Sequence, residues 1–138
     1  MFRTLKMLWC LPLGLLMLSL SGCGGGGSAS SYHPTGTSAK AALTAGLDAW
    51  KSGREKPGKI ESTKPVVEIQ DQIWTSGRKL KEFQIGDETP SADGPTRFKV
   101  KLTFDGGDPA QEEAEYVVFG KDPLYVFRDK DYQRMSGL

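Results

Sequence analysis

An α+β fold is expected, with one N-terminal helix packed on a bent antiparallel sheet of four to five strands, preceded by a signal peptide and a disordered linker. Two observations predict it. Only residues 38 to 52 carry an apolar stripe at spacings of three and four. From Val66 onward, apolar residues alternate with polar ones in short runs, separated by turns rich in Gly, Pro and Asp. One helix followed by a meander closes as two layers, the helix covering the apolar sheet face.

The elements follow in order. Arg3 and Lys6 make a short basic start, and Leu8 to Leu20 form an apolar run interrupted by Cys10, Pro12, Gly14 and Ser19. That run is about 13 residues, whereas a membrane-spanning helix needs roughly 20. A cleaved leader over 1–22 is therefore expected, followed by residues 23–37 as a linker, 38–128 as the folded domain and 129–138 as a frayed polar tail. Residues 24–37 read GGGGSASSYHPTGT, too poor in apolar groups to order themselves, and reach roughly 20 Å as a flexible tether.

In the helix, Ala39, Leu43, Leu47 and Trp50 share one face with Ala42 and Gly46. Thr37 or Ser38 can cap its start and Gly53 suits a left-handed stop. Residues 54–65, REKPGKIESTKP, break regular structure. Val66 to Trp74 then reads as a strand with Val67, Ile69 and Ile73 on one side, and Ser76-Gly77 as a turn. Leu80 to Ile85 places Phe83 and Ile85 opposite Glu82 and Gln84. Thr96 to Phe104 is the clearest strand, its Phe98, Val100, Leu102 and Phe104 alternating with Arg97, Lys99, Lys101 and Thr103. Asp105 to Pro109 turns the chain, Glu115 to Phe119 and Leu124 to Phe127 close the sheet, and Gly120 to Pro123 turns between them.

Leu20-Ser21-Gly22-Cys23, at the end of the leader, resembles the lipobox of bacterial lipoproteins. The resemblance implies cleavage before Cys23, a diacylglycerol on its thiol and an acyl chain such as palmitate on the new amino terminus. Two or more chains anchor stably where one binds reversibly. Gly24, where aspartate would stand in retained lipoproteins, implies delivery to the periplasmic face of the outer membrane, within the cell envelope. Ser21-Gly22 also suits an ordinary secretory cleavage site. The folded part resembles the cystatin-like or nuclear transport factor 2-like architecture. It is similar to small lipoproteins of planctomycete-type bacteria through Ala42-Leu43, Leu47-Asp48-Ala49-Trp50-Lys51, Trp74-Thr75-Ser76-Gly77-Arg78, Tyr116-Val117-Val118 and Pro123, over residues 38–128. That likeness implies a fold and no activity, because the architecture hosts enzymes, carriers and interaction modules alike.

Residue chemistry narrows the function classes. Of 2 cysteines, Cys10 leaves with the leader and Cys23 becomes a thioether, so the domain has neither disulfide nor thiol nucleophile. Removing Arg3 and Lys6 from 18 basic residues leaves 16 against 17 acidic ones, which argues against nucleic acid as a partner. His33, the lone histidine, sits in the tether as a solvated residue, which excludes a Ser/His/Asp triad and a histidine zinc site. Asp71 shares strand parity with Val67, Ile69 and Ile73, so it can be a buried general base or a structural carboxylate near a turn. Glu82 and Asp48 lie opposite the local apolar residues.

Asp105 and Asp108 lack the further acidic ligands of a calcium loop, and the glycines at 24 to 27 lack the strand and GK[ST] ending of a phosphate loop. No metal or cofactor is expected. Trp50 and Trp74 read as packing residues or, in an open cone, as ligand-stacking ones. Arg97, Lys99 and Lys101 read as a solvated row or a contact for acidic lipid or glycan. The loop motif of cystatin-type protease inhibitors is absent. The expectation is a membrane-anchored, non-enzymatic module that binds an envelope protein or modest ligand. The alternative is a cone-fold enzyme or small-ligand carrier with a pocket between helix and sheet, of at least about 300 Å³.

Overall fold

The computed structural model describes residues 33–89 and 94–137; the leader, Cys23 and the linker through Tyr32 lie outside the described residues. Helix α1 runs Gly36–Lys51, starting ahead of Ser38 because Thr35, not Thr37 or Ser38, accepts the Ser38 amide at 3.3 Å as its cap. Gly53, at φ +101°, supplies the expected left-handed stop. The stripe Ala39, Ala42, Leu43, Gly46, Leu47 and Trp50 is buried against the sheet. Gly46 permits that approach, since a β-carbon there would stand 2.7 Å from Ile69 Cδ1.

The sheet has six strands: β1 (Gly58–Ile60), β2 (Val67–Gln70), β3 (Leu80–Thr89), β4 (Thr96–Phe104), β5 (Gln111–Gly120) and β6 (Leu124–Arg128). Their order is β1-β2-β6-β5-β4-β3. The α+β class therefore holds, but the four to five antiparallel strands are corrected to six with one parallel pair, β2 beside β6. β6 enters the sheet beside β2 only after β3, β4 and β5 have been laid down, and alternation along a strand carries no record of its neighbour. β1 falls in the segment expected to be irregular. Three residues are too few to display a period, yet Ile60 pairs with Val67 and is buried.

The strand expected over Val66 to Trp74 stops at Gln70, and Gln72–Thr75 form one helical turn, α2. The tail expected to fray from Asp129 is helix α3, Asp129–Ser136. Its acids Asp129 and Asp131 sit in the first turn and Arg134 in the last, which suits the helix dipole, and Gly137 closes it at φ +74°. Asp131 also accepts the Gln72 amide at 3.1 Å, tying α3 to α2.

The two sheet faces differ. On one, Phe98, Val100, Leu102 and Phe104 of β4 meet α1 across Tyr116, Val118, Val126, Val67 and Ile69. On the other, β4 presents Arg97, Lys99 and Lys101, while β5 and β6 present Phe119, Tyr125 and Phe127 in a row of centroid spacings 5.4 and 5.5 Å. Tyr132 of α3 packs on Phe119 at 5.4 Å, so α3 partly roofs the aromatic half.

Candidate functional site

Asp71 is where the sequence and the core chemistry meet. β2 directs it onto the α1 side, as its parity with Val67 and Ile69 requires, and it is 2% exposed. Its role differs from that of an open carboxylate. Asp71 caps α2: Oδ1 accepts the Ile73 amide at 2.8 Å and the Trp74 amide at 3.3 Å. Arg128 donates from Nε to Oδ1 and from Nη2 to Oδ2, each at 3.2 Å, and the Tyr116 hydroxyl donates to Oδ2. A carboxylate offers about four lone-pair directions. Five donors fill them, leaving none to accept a substrate proton.

Arg128 is equally committed. Its Nη1 donates to Glu112 Oε1 at 2.7 Å, and the guanidinium carbon lies 5.5 Å from the Tyr116 ring centre. Burial acts to lower its pKa, but Tyr116, Asp71 and Glu112 outweigh that and raise it, so the cation persists. The cluster joins the ends of β2 and β6, the middle of β5 and the start of α2.

Burial, then the neighbouring Asp71 charge, pushes the Tyr116 hydroxyl well above its ordinary pKa. The unfolded chain releases this proton first, so the contribution is intact below about pH 10 and is lost as pH rises from there toward the folded-state pKa. Tyr116→Phe has no such proton. Its urea midpoint should fall less steeply than that of the wild type between about pH 9 and 11; equal slopes would contradict the assignment.

Trp50 and Trp74 stand beside this cluster. They stack at 5.2 Å with planes 4° apart, and Phe104 tilts onto Trp50 at 5.7 Å. Trp50 Nε1 donates to the Arg78 carbonyl at 2.8 Å and Trp74 Nε1 to the Arg54 carbonyl at 2.9 Å. Both are buried, and both are core residues rather than platforms open to a ligand. Asp71, Trp74 and Trp50 are thus contiguous, one capping the turn that carries the second, which stacks on the third.

The other candidates fall elsewhere. Asp48 and Glu82 are exposed. His33 is half-buried rather than solvated, its Nδ1 without a hydrogen-bond partner among the described residues. The row of Arg97, Lys99 and Lys101 is matched across the strand by Glu115 and Glu113, and Arg97 pairs with Glu115 at 3.6 Å and Asp129 at 3.3 Å. A row so matched presents little net positive charge. Asp105 and Asp108 lie in the turn between β4 and β5, and no cluster suited to a metal occurs among the described residues. No described helix is long and apolar enough to cross a membrane.

Sequence reasoning missed Arg128, Tyr116 and Glu112. The signal was parity: Arg128 follows Leu124 and Val126, and Tyr116 lies between Ala114 and Val118. Comparison with protein-family models, with curated proteins and with solved structures returns no match to this chain.

Proposed function

We propose that this chain is a bacterial lipoprotein whose small domain is a non-enzymatic binding module of the cell envelope. The leader 1–22 is removed, Cys23 carries diacylglycerol and an acyl chain, and the residues between Cys23 and α1 link the lipid to the domain at the periplasmic face of the outer membrane. The observation that carries this reading is Leu20-Ser21-Gly22-Cys23 standing directly after the apolar run. Two acyl signals would hold the chain stably, at roughly 0.8 kcal/mol per buried methylene.

The binding half of the proposal is supported by the chemistry of the interior. The buried acid nearest to a catalytic role has every acceptor position taken. Side chains of α1 and the sheet fill the interval where a carrier would need its pocket. The partner is then met on the surface.

Lipidation has a direct test. Intact mass of the membrane-extracted chain should show the leader gone and diacylglycerol added at Cys23, and Cys23→Ser should remove the mature form from the membrane fraction altogether. A mature chain with an unmodified Cys23 thiol would refute the anchor.

A further inference from the structure

We infer that the cleft between the end of α1 and the start of β3 is a binding site for a multiply charged phosphate ligand. The cleft holds about 430 Å³ and is lined by Lys51, Arg54, Arg78, Lys79 and Lys81, with Glu55 and Asp105 as its two acids. That volume suits a small ligand. Trp50 and Leu80 lie at its floor, both buried. The inference concerns the partner of the binding module and does not depend on the lipid anchor.

Three observations carry it. First, the charge is concentrated: five cations against two carboxylates line this cleft, on a chain whose formal net charge is +1. Second, the cations are not held in ion pairs. Where Arg97 and Arg128 are matched by acids, none of the five cleft cations makes an ion pair among the described residues. Third, the wall is preorganised. Arg78 lies 3.8 Å over the Phe104 ring and donates from Nη2 to the Gly106 carbonyl at 2.9 Å and the Pro109 carbonyl at 2.8 Å. Gly107, at φ +86°, makes room for it, since a β-carbon there would stand 2.6 Å from Nη2.

The density of charge favours a multiply charged phosphate over a carboxylate polymer, since five cations around about 430 Å³ match several negative charges held on one small anion. A guanidinium fork grips carboxylate and phosphate alike, and lysine ammoniums meet phosphate as point charges. Arg78 spends Nη2 on carbonyls and Arg54 spends Nε on the Lys56 carbonyl at 3.1 Å, so Lys51, Lys79 and Lys81 are the cations left uncommitted. The carbonyl end of α1, which would repel an anion, is blunted there: Asp48, Trp50 and Ala49 carbonyls accept the Ser52, Gly53 and Arg54 amides.

The test is equilibrium binding of tripolyphosphate to the full chain in detergent, at low and raised salt. The wild type should bind, less tightly as salt rises. The triple substitution Lys51→Ala, Lys79→Ala, Lys81→Ala removes three exposed side chains and should weaken binding at least about tenfold. Lys99→Ala with Lys101→Ala, on the opposite sheet face, should bind as the wild type does. No wild-type binding, or equal weakening by both variants, would overturn the site. Tighter binding of poly-glutamate than of tripolyphosphate would overturn the phosphate assignment in favour of an acidic peptide. Two further arms separate the sources of phosphate. Adsorption to phosphatidylglycerol vesicles in excess of phosphatidylcholine ones, lost in the triple variant, assigns a lipid headgroup; dependence confined to tripolyphosphate assigns a free polyphosphate. The mass of lipidated Cys23 is unaffected by any of these results.

Discussion

Asp71→Ala is expected to destabilise the domain by about 3–5 kcal/mol, as breaking a buried ion pair from one side does. The substitution removes a two-bond partner from a guanidinium whose side chain is 6% exposed. It also strips the cap from α2 and the acceptor from the Tyr116 hydroxyl. A small domain has about 5–15 kcal/mol in total, so the variant should sit near its unfolding threshold at ordinary temperature. Guanidinium denaturation followed by far-ultraviolet circular dichroism measures it. Arg128→Met in the Asp71→Ala background discriminates the cause. Once no buried charge is left unpaired, the double variant should recover part of the loss, because apolar replacement of a whole buried pair is often neutral or better. A single-variant loss under about 1 kcal/mol would mean that the carboxylate is dispensable to the fold. Asp71 would then be open to a functional role that its five donors now argue against.

The same residue marks how far the sequence was legible. The parity of Val67, Ile69 and Asp71 told which way the acid points, because alternation is a local property of one strand. Its partner Arg128 was hidden, since β2 meets β6 in a parallel pairing made after 3 other strands intervene, and no local period encodes it. β4 is legible to the residue, Thr96 to Phe104, because nine residues of strict alternation leave one register. β1 has three residues and no period to show. α3 is hidden for a different reason. Its polar composition suggested fraying, although Asp129 and Asp131 at the front and Gly137 behind are start and stop signals. Tyr132, on its sheet side, supplies the contact that a composition argument overlooks.

Trp74→Ala should cost about 3–5 kcal/mol, the range for emptying a fully buried aromatic site. Trp74 is 1% exposed and lies parallel to Trp50, so the cavity would open against an indole face rather than toward solvent. Trp74→Phe keeps an apolar ring while removing the donor to the Arg54 carbonyl, and should lose less, about 1–2 kcal/mol. The two tryptophans touch, so their losses should not add. Once Trp74 is gone, Trp50→Ala removes a ring whose stacking partner is already missing, and the double variant should fall short of the sum of the singles by about 0.5 kcal/mol or more. Urea midpoints of the four chains at one pH give the coupling. Exact additivity would show that the indoles are energetically independent despite their 5.2 Å spacing.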